Sequence, residues 1–84
     1  MSYRDMIAAQ MRGARGLLDW SQTQLSEASG VALSTIKRME LKGPEKSSVD
    51  NIDKVSSALQ SGGIIFIASN GDGPGVRLRK KAEV

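Results

Sequence analysis

The chain has 84 residues, no cysteine and no histidine, which excludes disulfides, cysteine metal sites and catalysis by a histidine base. Its formal charge of +3 at pH 7 is compatible with a nucleic-acid partner but is not diagnostic of one. No signal peptide is visible and no apolar run approaches the ~20 residues that span a bilayer, so the sequence predicts one cytoplasmic domain without a membrane partner.

Residues 3–18 are predicted to form the first helix, which Ser2 would cap and Asp19 would end. Gly13 and Gly16 each cost this helix about 1 kcal/mol relative to alanine, a cost that the close approach of another helix would explain. Apolar residues at spacings of 4, 3 and 4 are expected to form its buried stripe: Ile7, Met11, Ala14 and Leu18.

The second helix has a well-marked start. Ser21 at the N-cap and Gln24 at N3 form a capping box, and Trp20 can pack on Leu25 as a hydrophobic staple. The helix is predicted to end at Gly30, which adopts a positive φ without steric cost from a Cβ atom. These local patterns agree on where the helix lies.

A third helix is predicted to follow after a tight turn. It covers residues 33–41 and stops before Gly43-Pro44, because proline blocks its extension. Ala32 at the expected N-cap is a poor capping residue, and Ser34 could cap instead, which would shorten the helix. Two helices at a sharp angle bury little surface by themselves. They need a scaffold on one side, which leaves the outer side of the third helix open to a partner.

A fourth helix and a hairpin complete the predicted elements. Residues 49–60 have helical spacing and end at Gly62-Gly63. Residues 64–67 are β-branched and aromatic, residues 76–80 alternate between apolar and basic, and the turn chemistry of residues 70–75 predicts that they join the two strands. The inner stripe of the fourth helix is expected to contain Val49, Ile52, Val55, Ala58 and Leu59.

The two central helices and their turn resemble the Cro/repressor-type helix-turn-helix family, also called the xenobiotic-response-element type. The resemblance covers about residues 5–60. It implies a mainly α fold with a four-helix, repressor-like DNA-binding domain at 1–61, whose motif spans 21–42 and whose recognition helix spans 33–41. A C-terminal β-hairpin and basic tail follow at 62–84, and some small family members look similar in this region. The matching residues are Arg15, Ser21, Gln22, Leu25, Ala28, Gly30, Val31, Ser34, Thr35, Ile36, Arg38 and Glu40.

The resemblance also implies which residues contact double-stranded DNA. By family register the base-contacting positions fall on Leu33, Ser34 and Arg38. Arg38 could bond to both O6 and N7 of guanine, and Leu33 could touch a thymine methyl group. The alternative for each residue is an ordinary solvent-facing side chain. The expected phosphate contacts are Gln22, Thr35, Lys37 and Lys42.

Arg15 and Glu40 are expected to form a structural ion pair, because family members pair these two positions. The pair would tie the first helix to the end of the recognition helix, although desolvation offsets much of the attraction. The alternative is a solvated surface arginine at position 15.

The hairpin is expected to hold a two-fold dimer together. A lone two-stranded hairpin is marginal in water, and residues 64–67 place apolar groups on both of its faces. Pairing of strand edges across a two-fold axis would cover them, whereas a hairpin folded back on its own helices would leave a monomer. The expected interface residues are Ile64, Ile65, Phe66, Ile67, Val76 and Leu78.

These features predict a transcriptional regulator, a repressor that binds a pseudo-palindromic operator as a homodimer. The alternative is a protein-interaction module, such as an antitoxin or an antiactivator, whose partner is a second regulatory protein. An enzyme is disfavoured because the chain has no histidine, no cysteine and no acid pair at a motif spacing. No cofactor and no metal are expected.

Overall fold

The structure, a computed structural model, describes residues 6–69 and 71–80. Over these residues the chain forms four α-helices and an antiparallel two-stranded hairpin, which confirms the predicted mainly α fold class. The elements are α1 (Ala8–Leu18), α2 (Gln22–Ser29), α3 (Leu33–Lys42), a short 3₁₀ turn (Pro44–Lys46), α4 (Val49–Ser61), β1 (Ile64–Ile67) and β2 (Gly75–Leu78).

Helix α1 begins at Ala8, later than predicted. Ile7 is its N-cap, in an extended conformation with φ −106 and ψ 163, and donates its N–H to Oε1 of Gln10 over 3.0 Å. Ile7 is therefore 42% exposed, and its expected place in the buried stripe is wrong. Met6 lies in the core instead, with 2% of its surface exposed. The predicted cap at Ser2 lies outside the described residues.

The end of α1 and the whole of α2 agree with the predicted caps. Asp19 ends α1 in the left-handed region with φ 56. Ser21 Oγ accepts the N–H of Gln24 over 3.0 Å, and Gln24 Oε1 accepts the N–H of Ser21 over 2.7 Å, so the capping box is complete. Gly30 ends α2 with φ 75. Local hydrogen bonds therefore fix both boundaries.

Helix α3 begins at Leu33, with Ala32 as an N-cap that makes no side-chain hydrogen bond. The longer of the two predicted helices is thus correct, and the alternative start capped by Ser34 is wrong. Its last residue is Lys42, one past the predicted end, and Gly43 follows with φ 98.

The core lies where the four helices meet the first strand. Val49 was expected there but is 49% exposed, because it is the first residue of α4 and follows the N-cap Ser48, where the helix has not yet turned inward. The largest fully buried apolar side chains are Met11, Leu25, Ile36, Met39, Val55, Leu59 and Ile64.

The hairpin packs on the helices through one of its two faces. Ile64 pairs with Leu78 and Phe66 pairs with Val76, so these four side chains share a face. Ile64 is 1% exposed and belongs to the core, and Phe66 and Val76 pack against that core. Ile64 was expected in the dimer interface, but the chain's own helices already cover its side chain.

One side chain of α1 binds the hairpin by hydrogen bonds that the sequence did not predict. Gln10, 3% exposed, donates from Nε2 to the carbonyl of Gly75 over 3.0 Å and of Ile67 over 3.5 Å. A Cβ atom at Gly13 would lie 3.3 Å from Cγ2 of Val76, so this glycine allows β2 to approach α1 closely. The element that approaches is therefore a strand and not, as predicted, another helix. The predicted turn residue Asn70 lies outside the described residues.

Candidate nucleic-acid interface

Helix α3 has one face in the core and the opposite face in solvent. Ile36 and Met39 are both 0% exposed and anchor the inner face. Leu33 and Thr35 are half-buried and lie at the edges of the outer face. The exposed strip between these edges contains residues at helical spacing: Ser34, Lys37, Arg38 and Leu41.

The charges of α3 are divided between the two faces. Its cations are Lys37, Arg38 and Lys42, and all three are exposed. Its one acid, Glu40, is 3% exposed and points inward. The surface that α3 presents therefore contains cations, a hydroxyl group and the apolar Leu41 but no carboxylate, although the helix sequence itself includes one. Such a surface attracts a polyanion.

Glu40 is held inward by side chains from α1 and α2. Arg15 donates from Nε to Oε2 over 2.7 Å and from Nη2 to Oε1 over 2.8 Å. Gln22, the first residue of α2, donates from Nε2 to Oε1 over 3.3 Å. Arg15 also donates from Nη1 to the Trp20 carbonyl over 2.9 Å. This carboxylate network ties α3 to α1 and to the start of α2.

The network favours the charged form of Arg15. The hydrogen bonds that Arg15 donates to Glu40 raise the pKa of its guanidinium above the ordinary value, burial lowers it, and the charge of Glu40 raises it again. Bidentate arginine–carboxylate pairing is also geometrically strict, so it fixes the angle of α3 as well as its distance from α1. The position of the exposed strip thus depends on a group that is itself hidden from solvent.

A family model described as helix-turn-helix matches residues 11–63 of the chain. The chain belongs to the Cro/C1-type helix-turn-helix family. The match begins within α1, contains α2, α3 and α4 and stops before β1, so it does not include the hairpin. No curated protein matches the chain.

The family is one of DNA-binding regulators of transcription and not of enzymes. In helix-turn-helix proteins the second helix of the motif enters the major groove, and α3 is the second helix of the pair in this chain. Within residues 6–69 and 71–80, the structure has no helix long and apolar enough to cross a membrane.

The structure places the other predicted contacts around this strip. Gln22 is half-buried at the start of α2, where Glu40 holds its amide nitrogen. Lys42 is exposed at the last position of α3, at the far end from Leu33. The predicted base-contacting residues all lie in the first two turns of α3, so the structure brings them together on one helix.

The sequence analysis assigned no contact role to two exposed residues, Leu41 within this strip and Arg12 beside it. Leu41 is 80% exposed, the largest exposure among the large apolar side chains described. Arg12 of α1 donates from Nη1 to the backbone carbonyl of Glu40. The only sequence indication was that Arg12 precedes Arg15 by one helical turn, which places both on the same side of α1.

Proposed function

We propose that this protein is a sequence-specific, double-stranded DNA-binding repressor of transcription that uses α3 as its recognition helix. The division of charge on α3 supports this most directly, because the helix turns its cations and hydroxyl group outward and its carboxylate inward. A bound protein that covers a promoter needs no further contact to repress it, so repression is the simplest outcome of binding.

The proposed contacts divide by position on α3. Leu33, Ser34 and Arg38 would contact base edges, since they occupy the family's base-contacting register within the first two turns of the recognition helix. The remaining predicted residues would contact the phosphates that fix the helix in register: Gln22, Thr35, Lys37 and Lys42.

The hairpin is the proposed site of homodimerisation. Ile65 pairs with Arg77 and Ile67 pairs with Gly75, which places both isoleucines on the face that points away from the helices. Of the residues first expected at the interface, Ile65 and Ile67 are therefore the apolar side chains best placed to meet a second copy. Two recognition helices would then contact half-sites about 34–36 Å apart in successive major grooves.

A binding selection from random duplex DNA tests the proposed function. Selected sequences should share a pseudo-palindromic motif, and the protein should bind a selected duplex at least about 1,000-fold more tightly than a scrambled one. Affinity should fall steeply with salt, because lysine and arginine contacts release counterions. Equal affinity for both duplexes would contradict sequence-specific binding.

Light scattering behind a sizing column tests the dimer. A species of twice 9.0 kDa is expected at tens of micromolar, and Ile65→Asp should shift it to the monomer. Ser57→Asp, a change on the exposed side of α4, is the matched control and should leave the dimer intact. A wild-type mass of 9.0 kDa across the concentration series would instead favour a monomer whose hairpin only covers its own helices.

A protein-interaction module remains the second candidate. The observation in its favour is the outward pair of isoleucines on the hairpin, together with the exposed Leu41. DNA affinity that does not change between low and high salt would remove the DNA-binding proposal and leave this one.

A further inference from the structure

We propose that Arg12 is an additional contact to the DNA backbone, supplied by α1 and not by the helix-turn-helix pair. This inference rests on the proposed DNA-binding function and extends its contact surface. Arg12 is exposed, and its guanidinium is held at a fixed place by the bond from Nη1 to the Glu40 carbonyl. An arginine has five N–H donors, so this bond leaves most of them for another acceptor.

The surroundings of Arg12 favour an anion of phosphate type. Arg12 lies in a shallow groove that it shares with Lys37, Gln22 and Leu41. The Arg15 and Glu40 side chains that form the floor of this groove neutralise each other. Over the described part of the chain, the ion pairs join Arg15 to Glu40 and Lys54 to Asp50, so the charges of Arg12 and Lys37 are uncompensated.

The position of the groove connects it to the recognition helix. It borders the exposed strip of α3, because Lys37 and Leu41 belong to both. A duplex whose major groove received α3 would pass one of its backbones along this edge. Arg12 would then set the angle of the helix on the duplex without contacting a base, as phosphate contacts do.

The competing role for Arg12 is purely structural. The Glu40 carbonyl is among the last four of α3, which lack a partner within the helix. The helix macrodipole also favours a cation at this C-terminal end of α3. Both roles use the same observed bond, but only a DNA contact changes how the affinity depends on salt.

The test compares Arg12→Gln and Arg12→Lys with a control, Arg79→Gln. The control removes an exposed arginine that directly follows β2. Affinity is measured over a salt series for a selected duplex and for a mixed-sequence duplex of the same length. Arg12→Gln should reduce the slope of log K against log salt by about 0.9 for each bound protomer. It should also weaken binding to both duplexes by the same factor, because a phosphate contact carries no sequence information. Arg12→Lys and Arg79→Gln should keep the wild-type slope.

A second measurement uses the wild-type chain and so does not depend on whether a variant folds. An arginine-selective dicarbonyl reagent is applied with and without the mixed-sequence duplex, and adducts are located by mass spectrometry of peptides. The duplex should protect Arg12 and leave Arg79 reactive. Equal reactivity of Arg12 with and without DNA would overturn the proposal.

The two proposals fail in different ways. If wild-type protein binds no duplex in a salt-dependent manner, the proposed function itself is wrong. If wild-type protein selects a sequence but Arg12→Gln keeps the full salt slope, only the role of Arg12 is wrong, and its bond to Glu40 is then a helix cap alone.

Discussion

Helix α1 holds a different partner on each of its two sides, and it does so with different chemistry. On one side Arg15 binds the carboxylate of Glu40 and thereby positions α3. On the other side Gln10 binds backbone carbonyls of the hairpin. The first attachment needs a specific partner residue, whereas the second needs only a carbonyl, which every residue has. The position of α3 therefore depends on the identity of two residues, whereas the position of the hairpin depends on the path of its backbone.

The largest expected effect is on the α3 side. Arg15→Ala would leave the Glu40 carboxylate buried without its cation, so the free energy of unfolding should fall by about 3 kcal/mol. In a domain of this size the melting midpoint should drop on the order of 10–20 °C, as followed by circular dichroism. Arg38→Ala, which removes an exposed arginine of α3, should change stability by less than about 0.5 kcal/mol. Equal midpoints for the two variants would show that the pair contributes nothing to stability.

On the hairpin side of α1 the expected loss in the free energy of unfolding is smaller, and it is confined to the hairpin. Gln10→Ala removes the buried amide that binds the Gly75 carbonyl and the Ile7 N–H, which should cost about 1–3 kcal/mol. Hydrogen exchange should show lower protection of the β1 and β2 amides than of the α3 amides. Gln24→Ala, which removes an exposed capping side chain, is the control and should leave the hairpin amides protected. Uniform loss of protection in Gln10→Ala would mean that the two sides of α1 unfold together.

The third prediction concerns binding and leaves the fold intact. Arg38→Ala should weaken binding to a selected duplex by about 1–3 kcal/mol and relax the preference at one base position. Lys54→Ala, on α4, is the control because its charge is paired with Asp50. Equal losses for Arg38→Ala on selected and scrambled duplexes would show that Arg38 contacts the backbone only.

The smallest expected effect is a difference in stability between alanine variants at the two glycines of α1. Gly16→Ala should stabilise the protein by about 0.5–1 kcal/mol, because nothing lies within 4 Å of the new methyl group. Gly13→Ala should gain less or lose stability, since its methyl group would lie 3.3 Å from Val76. Thermal melts of both variants measure this difference. An equal gain in both would show that the hairpin moves away from α1 at little cost.

The sequence predicts the α3 side well because its determinants are local or specific. The capping box at Ser21 and the glycine at position 30 can be recognised from local patterns, and the pairing of Arg15 with Glu40 follows from the resemblance to the family. Ile7 and Val49 were assigned to buried stripes in error. Hydrophobic spacing gives the direction of a face but not how far along the chain the helix extends, and both residues lie at helix starts.

The hairpin was predicted as an element, but its attachment was not. Gln10 is separated from its carbonyl acceptors by 57 and 65 residues, and neither acceptor depends on a side chain. No pattern of residue types could therefore connect them. Arg12 was missed for a related reason, because its acceptor is also a backbone carbonyl and an exposed arginine on a helix resembles an ordinary solvated residue.

Trp20 is the only tryptophan in the chain, and it lies between α1 and the end of α4. Its carbonyl accepts the bond from Arg15, while two of its ring atoms lie 3.1 and 3.2 Å from where a Cβ atom would stand at Gly62, two residues before the hairpin begins. Indole emission depends on local solvent polarity, so this one tryptophan should respond when its contacts with α1 or with the end of α4 loosen. The protein thus contains its own optical reporter, and no dye needs to be attached near the surface that would meet DNA.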